Sequence, residues 1–394
     1  MKIETIYIQG VGGIINLDIK FHPNMNIICG PNGIGKTTVL ESVAHCFANG
    51  ETNILKRHIH SANSEIKACF SHASESINVA FQFQQYEPRD KVQIHGRYDK
   101  SQYLLSLKTT RTFAYVPLDS IGKDTAKVAH VLWEDTKNGV TLHDIKNWFA
   151  NRYLYSAHKG ALSEEQLKNF ELAKKCFSAL NSDFTFSKVN ASSNEILVNT
   201  PSGEIYYEYL SSGFKSCLSI LFGIIKEIEF RFSSPSITAE SFDGVVLIDE
   251  LELHLHPEWQ YRIANVLTDI FPNVQFIVTT HSPHIIQSAK QNQIIVLENQ
   301  DGETTLRELP DSKYGFKGWT LDEVLTDVMG MTDTRTQEFI DLMERFGLAI
   351  DNEDYNAALA AFNDLDDSLH PANHIRKLLR LQLASIAGMN NDQA

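Results

Sequence analysis

Apolar and polar positions along the first part of the chain alternate in a way that predicts strands. Residues 3–8 and 15–21 alternate like half-buried strands, and residues 25–29 form a short apolar run that ends in a glycine-rich turn. Helical spacing of apolar residues follows this turn, from residue 36 to about residue 48, and residues 65–118 alternate again. The chain therefore opens as three strands and a helix, followed by a strand-rich stretch.

The pattern changes to helical spacing at residues 131–182, where Ser163 and Gln166 form a candidate capping box. Strands are predicted again at 196–199 and 205–209, joined by a Pro-Ser-Gly turn, and helices at 213–230 and 258–271 alternate with apolar strands at 245–248 and 274–278. Beyond residue 311 the pattern is all-helical, with Thr320/Glu323 and Thr334/Gln337 as candidate capping boxes.

These elements predict an α/β fold divided into four parts. Residues 1–130 and 183–310 read as the two halves of one α/β unit, and residues 131–182 as a helical insertion that forms a lid or a short arm. Residues 311–394 read as a C-terminal helical region for binding a partner or a second copy. This last region holds much of the excess of acidic residues, so we expect it to lie away from phosphates.

Composition narrows the class of protein. Apolar residues make up 43% of the 394 positions and charged residues 21%, as in globular proteins, and no run of about eighteen apolar residues predicts a membrane span. Five scattered cysteines predict neither a disulfide framework nor a zinc site, which fits a cytoplasmic protein without a membrane partner. The formal net charge of −14 argues against a broad electrostatic grip on nucleic acid.

Residues 30–38, Gly-Pro-Asn-Gly-Ile-Gly-Lys-Thr-Thr, match the phosphate-loop pattern between a predicted strand and a predicted helix. Glycines let the backbone turn through positive φ and leave N–H groups free for phosphate oxygens, and the start of the helix favours an anion. Lys36 is expected to reach the β- and γ-phosphates, and Thr37 to bind Mg²⁺. We therefore expect ATP and Mg²⁺, with nucleotide contacts from Asn32, Gly33, Ile34, Gly35, Lys36, Thr37 and Thr38.

Two acids follow the apolar run at residues 245–248, which is typical of a parallel strand covered on both faces. Asp249 at the end of this strand is expected to hold Mg²⁺ through water, opposite Thr37. Glu250 is then placed to polarise the water that attacks the γ-phosphate, which is the role a hydrolytic ATPase needs.

Three further segments resemble those of ABC/SMC ATPases. Residues 210–216, Leu-Ser-Ser-Gly-Phe-Lys-Ser, resemble the ABC signature but have Ser212 and Phe214 where the family usually has glycine and an acid or amide. The resemblance implies that Ser211 and Gly213 bind the γ-phosphate of ATP held by a second copy. Residues 250–257 resemble the interface segment after the acid pair, and in residues 279–283 His281 resembles the switch histidine that contacts the γ-phosphate.

The start of the chain, with residues 2–8 and 26–33, resembles the RecF/SMC opening, and the chain has no long coiled coil. What remains is similar to the compact ATPases of bacterial anti-phage systems, of the Septu type and those found with retrons. The motif Lys-Gly-Trp-Thr-Leu-Asp-Glu-Val-Leu at 317–325 adds to this resemblance. It implies a homodimer or higher homo-oligomer joined through the ATPase heads, a partner nuclease of the HNH type, and nucleic acid contacted through that complex.

Two alternatives stay open. A RecF-like repair ATPase would bind DNA directly, with Lys56, Arg57, His58 and His60 as candidate phosphate contacts. A nuclease of the OLD family would carry a metal-dependent TOPRIM domain, for which Glu298, Asp364 and Asp366 are a superficial match. The glutamine that ABC proteins place near the γ-phosphate has no clear counterpart, with residues 114–118 and Gln82, Gln84 and Gln85 as the candidates.

Overall fold

The computed structural model describes residues 1–110, 117–310 and 315–391. The chain forms two compact units, residues 1–330 and 331–394. The predicted boundary at residue 311 falls before this division, and the four-part division of the chain stays a prediction. None of the helices in the described ranges combines the length and apolar content that crossing a bilayer requires.

The strands of the first unit include those predicted near residues 3–29, 196–209, 245–248 and 274–278, together with others, such as 185–189 and 303–307, that the pattern did not predict. In the described ranges they are β1 (Lys2–Val11), β2 (Ile14–Lys20), β3 (Met25–Cys29), β4 (Asn49–Thr52), β5 (Ser64–His72), β6 (Glu75–Phe83), β7 (Val92–His95), β8 (Leu104–Leu107), β9 (Thr185–Val189), β10 (Ile196–Thr200), β11 (Gly203–Tyr206), β12 (Val245–Ile248), β13 (Gln275–Thr279), β14 (Ile294–Gln300) and β15 (Glu303–Arg307).

Helices connect these strands and continue into the second unit. They are α1 (Lys36–His45), α2 (Ala129–Asn138), α3 (Ile145–Ser156), α4 (Glu164–Leu180), α5 (Ser212–Arg231), α6 (Pro257–Ile270), α7 (Pro283–Ser288), α8 (Leu321–Glu323), which continues as a π-helical turn over Val324–Val328, α9 (Gln337–Asp351), α10 (Tyr355–Ser368) and α11 (Ile375–Asn391). The capping boxes predicted at Ser163 and Thr320 are both present.

The central sheet has the strand order β15-β14-β3-β13-β12-β8. All neighbouring strands from β14 to β8 run parallel, and only β15 at the edge is antiparallel. Since parallel strands share a direction, the carboxyl ends of β3, β12 and β13 meet at one edge of the sheet. The phosphate loop, the acid pair and the predicted switch histidine follow these three strands, so the topology places them side by side.

Each face of the central sheet is covered by a separate apolar core. Val246 and Ile248 of β12 pack with α3 to α6 on one face, while Val245 and Leu247 pack with α1 on the other. The second face is closed by the antiparallel sheet β2-β1-β5-β6. The continuous apolar run of β12 is therefore explained, because both sides of the strand are buried.

The helices between β8 and β9 pack in the body of the first unit. Helix α4 lies against α5 and α6, and rings from α3, α4, α5 and β9 cluster with centroid separations between 5.1 and 6.4 Å: Phe149, Phe170, Phe177, Phe186 and Phe222. The helical stretch predicted as an insertion thus contributes buried side chains to the same core as the sheet.

Helix α5 carries charged side chains that are buried near its carboxyl end. Glu227 pairs with Lys127 at 2.6 Å and with Arg231 at 3.3 Å, and Arg231 also contacts Asp135 at 3.3 Å. Burial alone would raise the pKa of Glu227, but the neighbouring cations hold that pKa below its usual value. Because each of these buried charges has a partner, the network joins α5 to α2 and to Lys127, which precedes α2.

The second unit is a small helical bundle of α9, α10 and α11 around its own core, which includes Phe346, Ala361 and Leu365. The capping box predicted at Thr334 was wrong. Thr336 caps α9 instead, accepting the Phe339 N–H at 3.4 Å, so the helix begins two residues later than the motif suggested.

Candidate functional site

The phosphate loop between β3 and α1 depends on glycines with positive φ. Gly30 has φ 140° and lies so close to β14 that a Cβ atom would stand 2.1 Å from the Leu297 carbonyl oxygen. Gly35 has φ 107°, and a Cβ there would meet the Ile14 side chain at 2.9 Å. The Thr304 hydroxyl of β15 donates to the Ile34 carbonyl at 3.1 Å, so the β14–β15 hairpin supports the loop.

Lys36 lies over the phosphate loop that precedes it. Its Nζ donates to the carbonyl oxygens of Gly30 at 2.9 Å and Pro31 at 2.8 Å, and the side chain is buried. Burial lowers the pKa of Lys36, and nearby carboxylates act in the opposite direction, those of Glu252, Asp249 and Glu250. An ammonium group held among carbonyls and carboxylates is ready to accept an anionic ligand.

Asp249 lies at the centre of a group of hydroxyls at the edge of the sheet. The Thr37 hydroxyl stands 3.2 Å from both carboxylate oxygens of Asp249, and the Thr279 hydroxyl donates to Asp249 Oδ1 at 2.6 Å. Thr279 also accepts the Glu250 N–H at 2.7 Å. The predicted pair of Thr37 and Asp249 is therefore brought together, and Thr279 joins it.

Glu250 and His281 lie on neighbouring segments beyond the strands. Glu250 has φ 49°, a left-handed backbone conformation that is uncommon for a residue with a side chain and concentrates at functional sites. Leu251 N–H donates to the Thr279 carbonyl at 2.9 Å, which ties the acid segment to the segment before His281. Glu252 accepts the His281 N–H at 2.5 Å.

The signature stretch forms the start of α5. Ser211 caps this helix by accepting the Phe214 N–H at 3.3 Å, and the side chains of Ser211 and Ser212 are exposed. Gly213 lies against the segment after the acid pair, where a Cβ would meet His256 N at 3.1 Å. Within the described residues, the hydrogen bonds of residues 211–216 stay within α5 or reach residues 208 and 253, and none joins the phosphate loop.

Phe214 explains one departure from the usual signature. Its ring is 2% exposed and packs between Phe184, with centroids 5.0 Å apart, and Trp259, at 5.2 Å. An acid or an amide in this place would be buried against two aromatic rings. The phenylalanine therefore fixes the start of the signature helix through packing.

The glutamine near the γ-phosphate stays unassigned. Residues 114–116 lie outside the described residues. Gln82 is on β6 of the antiparallel sheet and donates to Glu65 Oε1 at 2.7 Å, and Gln84, just after β6, donates to Asn63 Oδ1 at 2.8 Å. The residue that follows β8, next to Asp249 on the neighbouring strand, is Lys108. Its ammonium group pairs with Glu41 at 2.6 Å.

The candidate residues for DNA binding by a repair ATPase and for a TOPRIM nuclease are engaged in contacts within the protein. Arg57 donates to the Gln84 carbonyl at 3.0 Å and to the His58 carbonyl at 2.9 Å, so its guanidinium is held by backbone carbonyls of its own loop and of the segment after β6. Glu298 is on β14 in an antiparallel hairpin, 3.5 Å from Arg307. In the second unit Asp364 and Asp366 lie on helix α10, with Asp366 contacting Arg376 at 3.4 Å, whereas a TOPRIM acid pair follows a strand.

The site fits ATP and Mg²⁺. A hydroxyl and a carboxylate converge at Thr37 and Asp249, which are hard oxygen ligands of the kind that Mg²⁺ takes together with phosphate oxygens and water. The loop glycines, Lys36 and the start of α1 provide donors for phosphates. A phosphate loop, a strand-end acid pair and a parallel central sheet with a signature helix define an ABC/SMC-type ATPase head.

The chain is 41% identical over 388 residues to the Septu protein PtuA of Bacillus thuringiensis, covering 98% of each chain. It therefore belongs to the Septu PtuA family of defence ATPases. The retron Vc95 probable ATPase of Vibrio cholerae serotype O1 biovar El Tor is 34% identical over 112 residues, which are 28% of this chain and 22% of that protein.

Two further comparisons cover parts of the chain. Residues 101–287 match the family model described as "AAA domain, putative AbiEii toxin, Type IV TA system". Among solved structures, the SMC head domain from Thermotoga maritima is 13% identical and covers 79% of this chain and 100% of that one, with a TM-score of 0.48.

Thr279 is a site residue to which the sequence assigned no role, and its hydroxyl can be tested. Thr279→Val keeps the shape of the side chain but removes the hydroxyl that donates to Asp249 Oδ1 and accepts the Glu250 N–H. We expect the free energy of unfolding to fall by about 1–3 kcal/mol, the usual cost of an unsatisfied buried polar group. Urea unfolding followed by tryptophan fluorescence measures this, since the four tryptophans all precede residue 331. Thr279→Ser, which keeps the hydroxyl, should unfold like the wild type, and equal losses in both variants would contradict the role given to the hydroxyl.

Proposed function

We propose that this protein hydrolyses ATP at a site that is completed when the heads of two copies meet. We propose further that the ATP-bound assembly regulates a partner nuclease of the HNH type in anti-phage defence, in the cytoplasm. The observation that carries the first proposal is the convergence of Thr37, Asp249 and Thr279 beside the phosphate loop. A bare glycine-rich turn would not need a buried carboxylate and two hydroxyls at the same edge.

Each residue of the site has a role in this reaction. Lys36 and the loop N–H groups would hold the phosphates, with contacts along residues 32–38, and Thr37 and Asp249 would hold Mg²⁺ directly and through water. Mg²⁺, when bound, neutralises charge on the β- and γ-phosphates. Glu250 accepts a proton from the attacking water, and its fixed backbone, tied to Thr279, sets the direction of the carboxylate. His281 donates to the γ-phosphate.

The second copy is inferred from the position of the signature. Ser211 and Ser212 are exposed at the start of α5, where the backbone N–H groups of the first helical turn lie. The start of a helix favours a bound anion, and at this exposed position the anion has to come from outside the copy. The phosphate held by a second copy satisfies this condition, and it would meet Ser211 and Gly213.

The regulatory part of the proposal is supported by membership of the Septu PtuA family. The acids considered for a TOPRIM nuclease are an edge-hairpin residue and two helix residues with arginine partners. A separate nuclease then supplies the cleavage, and the helical second unit offers a surface for it or for another copy.

Glu250→Gln should trap the ATP-bound assembly. The amide keeps the size of the side chain but cannot take the proton from water, so we expect hydrolysis to fall at least about 100-fold. Size-exclusion chromatography with light scattering should show a dimer or larger species with Mg²⁺ and ATP. Lys36→Ala is the matched control, because it should lose ATP binding and stay unassembled. Turnover by Glu250→Gln at the wild-type rate would contradict the role of this residue.

Ser211→Arg tests the composite site. The exposed position has room for the larger side chain, and the loss of the serine cap on α5 should cost only about 1 kcal/mol of stability, so ATP binding to one copy should keep its affinity. The bulky cation blocks the meeting of two heads, and we expect hydrolysis to be lost. Ser202→Arg, in the exposed turn between β10 and β11, is the control with the same change of charge. Full activity in Ser211→Arg would show that hydrolysis needs only one copy.

Native assembly tests the regulatory proposal. The chain is co-expressed with its neighbouring genes and purified under native conditions through an affinity tag, with and without ATP. The mass and composition of the complex are then measured. We expect a nuclease to co-purify with a dimer or a larger assembly. A chain that comes out alone, assembles with ATP and binds duplex DNA with a steep salt dependence would favour the repair-type function instead.

A further inference from the structure

A third carboxylate follows the acid pair and contacts the loop of the switch histidine. Glu252 Oε2 accepts the Thr280 hydroxyl at 2.7 Å, and Glu252 Oε1 accepts the backbone N–H of His281 at 2.5 Å. The two oxygens of this carboxylate therefore accept hydrogen bonds from two consecutive residues. Hydrogen bonds to an ionised acceptor are stronger than neutral ones, so this pair fixes the local backbone well.

The bonds of Glu252 extend the pairing of two strands beyond their ends. Strands β12 and β13 are parallel neighbours up to the pair Ile248 and Val278. Past that point Glu250 N–H donates to the Thr279 hydroxyl at 2.7 Å and Leu251 N–H to the Thr279 carbonyl at 2.9 Å. The side chain of Glu252 continues this series to His281, although no strand is present there to hold it.

Glu252 also lies beside the phosphate site. Its charge acts on Lys36, as do the charges of Asp249 and Glu250. A carboxylate in this position would repel a γ-phosphate if it were free. Its two oxygens instead accept hydrogen bonds from the Thr280 hydroxyl and the His281 N–H, which spread its charge and hold it in place.

We propose that Glu252 is the positioning residue of His281, and that it sets how strongly the site prefers ATP to ADP. Glu252 fixes the backbone of His281, and the imidazole then meets the γ-phosphate without a cost of ordering the loop. Only ATP has this phosphate, so the fixed loop adds to the affinity for ATP and leaves the affinity for ADP unchanged. This inference rests on the proposed function, because it assumes the nucleotide site described above.

The test compares the dissociation constants of ATP and ADP, measured with Mg²⁺ in the Glu250→Gln background so that ATP is not consumed. Glu252→Gln keeps the size of the side chain, but its NH2 group cannot accept a hydrogen bond, so one of the two bonds to Thr280 and His281 is lost. We expect the preference for ATP over ADP to fall about tenfold or more, with ADP affinity changed by less than about twofold. Glu258→Gln, an exposed carboxylate at the start of α6, is the matched control and should change neither constant.

Three further variants separate a positioning role of Glu252 from general damage to the site. If Glu252 acts through His281, Glu252→Gln should have no additional effect in a His281→Ala variant, as a double-mutant cycle measures. Thr280→Val should lose part of the preference and Thr280→Ser should restore it, and neither change alters a charge.

The outcomes distinguish this inference from the function on which it rests. Equal weakening of ATP and ADP by Glu252→Gln, or effects of Glu252→Gln and His281→Ala that multiply, would overturn the positioning role and leave the ATPase intact. A protein that binds neither nucleotide, and that Lys36→Ala leaves unchanged, would overturn the proposed function together with the inference.

Discussion

The arrangement of the head depends on one buried carboxylate. Asp249 is 6% exposed at the end of a strand that is covered on both faces, and removing a carboxylate from water costs several kcal/mol unless hydrogen bonds replace the lost hydration. The hydroxyls of Thr37 and Thr279 supply those bonds from two different neighbours. Thr37 is on the helix after the phosphate loop and Thr279 at the end of β13, so satisfying one acid fixes three elements relative to each other.

The signature helix is held by packing where the usual motif uses polar residues. Phe214 fills a space between Phe184 and Trp259, and Gly213 allows the backbone to approach His256. These contacts are made within one copy, so they orient the start of α5 before any second copy arrives. In the proposed dimer, a helix start that is already ordered would lose less entropy on meeting a phosphate, and this would offset the absence of the usual acid or amide at position 214.

The fold was predictable wherever the local pattern is strong. Strands β3 and β12 have the predicted bounds, and α1 begins at Lys36 as predicted. A short continuous apolar run next to a turn signal indicates a buried strand, and a phosphate-loop motif indicates a helix that starts at its lysine. Thr279 and Glu252 acquired roles only in the structure, since their contacts join segments far apart in sequence and resemble no local motif. The start of α9 was misplaced for a related reason, because Thr334 and Thr336 offer the same local chemistry and the surrounding fold decides between them.

One segment of the chain contacts both the loop of His281 and the signature helix α5. Residues 250–256 begin at the acid pair, where Glu252 holds His281, and continue to Leu253, whose carbonyl accepts the Ser216 hydroxyl at 3.3 Å, and to His256 beside Gly213. In the proposed dimer, His281 contacts the nucleotide of its own copy, while Gly213 faces the nucleotide of the other. A shift of His281 on loss of the γ-phosphate would therefore be carried by a short, hydrogen-bonded segment to the opposite site. In that dimer, such a connection would make hydrolysis at the two sites interdependent, because hydrogen bonds tie both the histidine loop and the signature helix to residues 250–256.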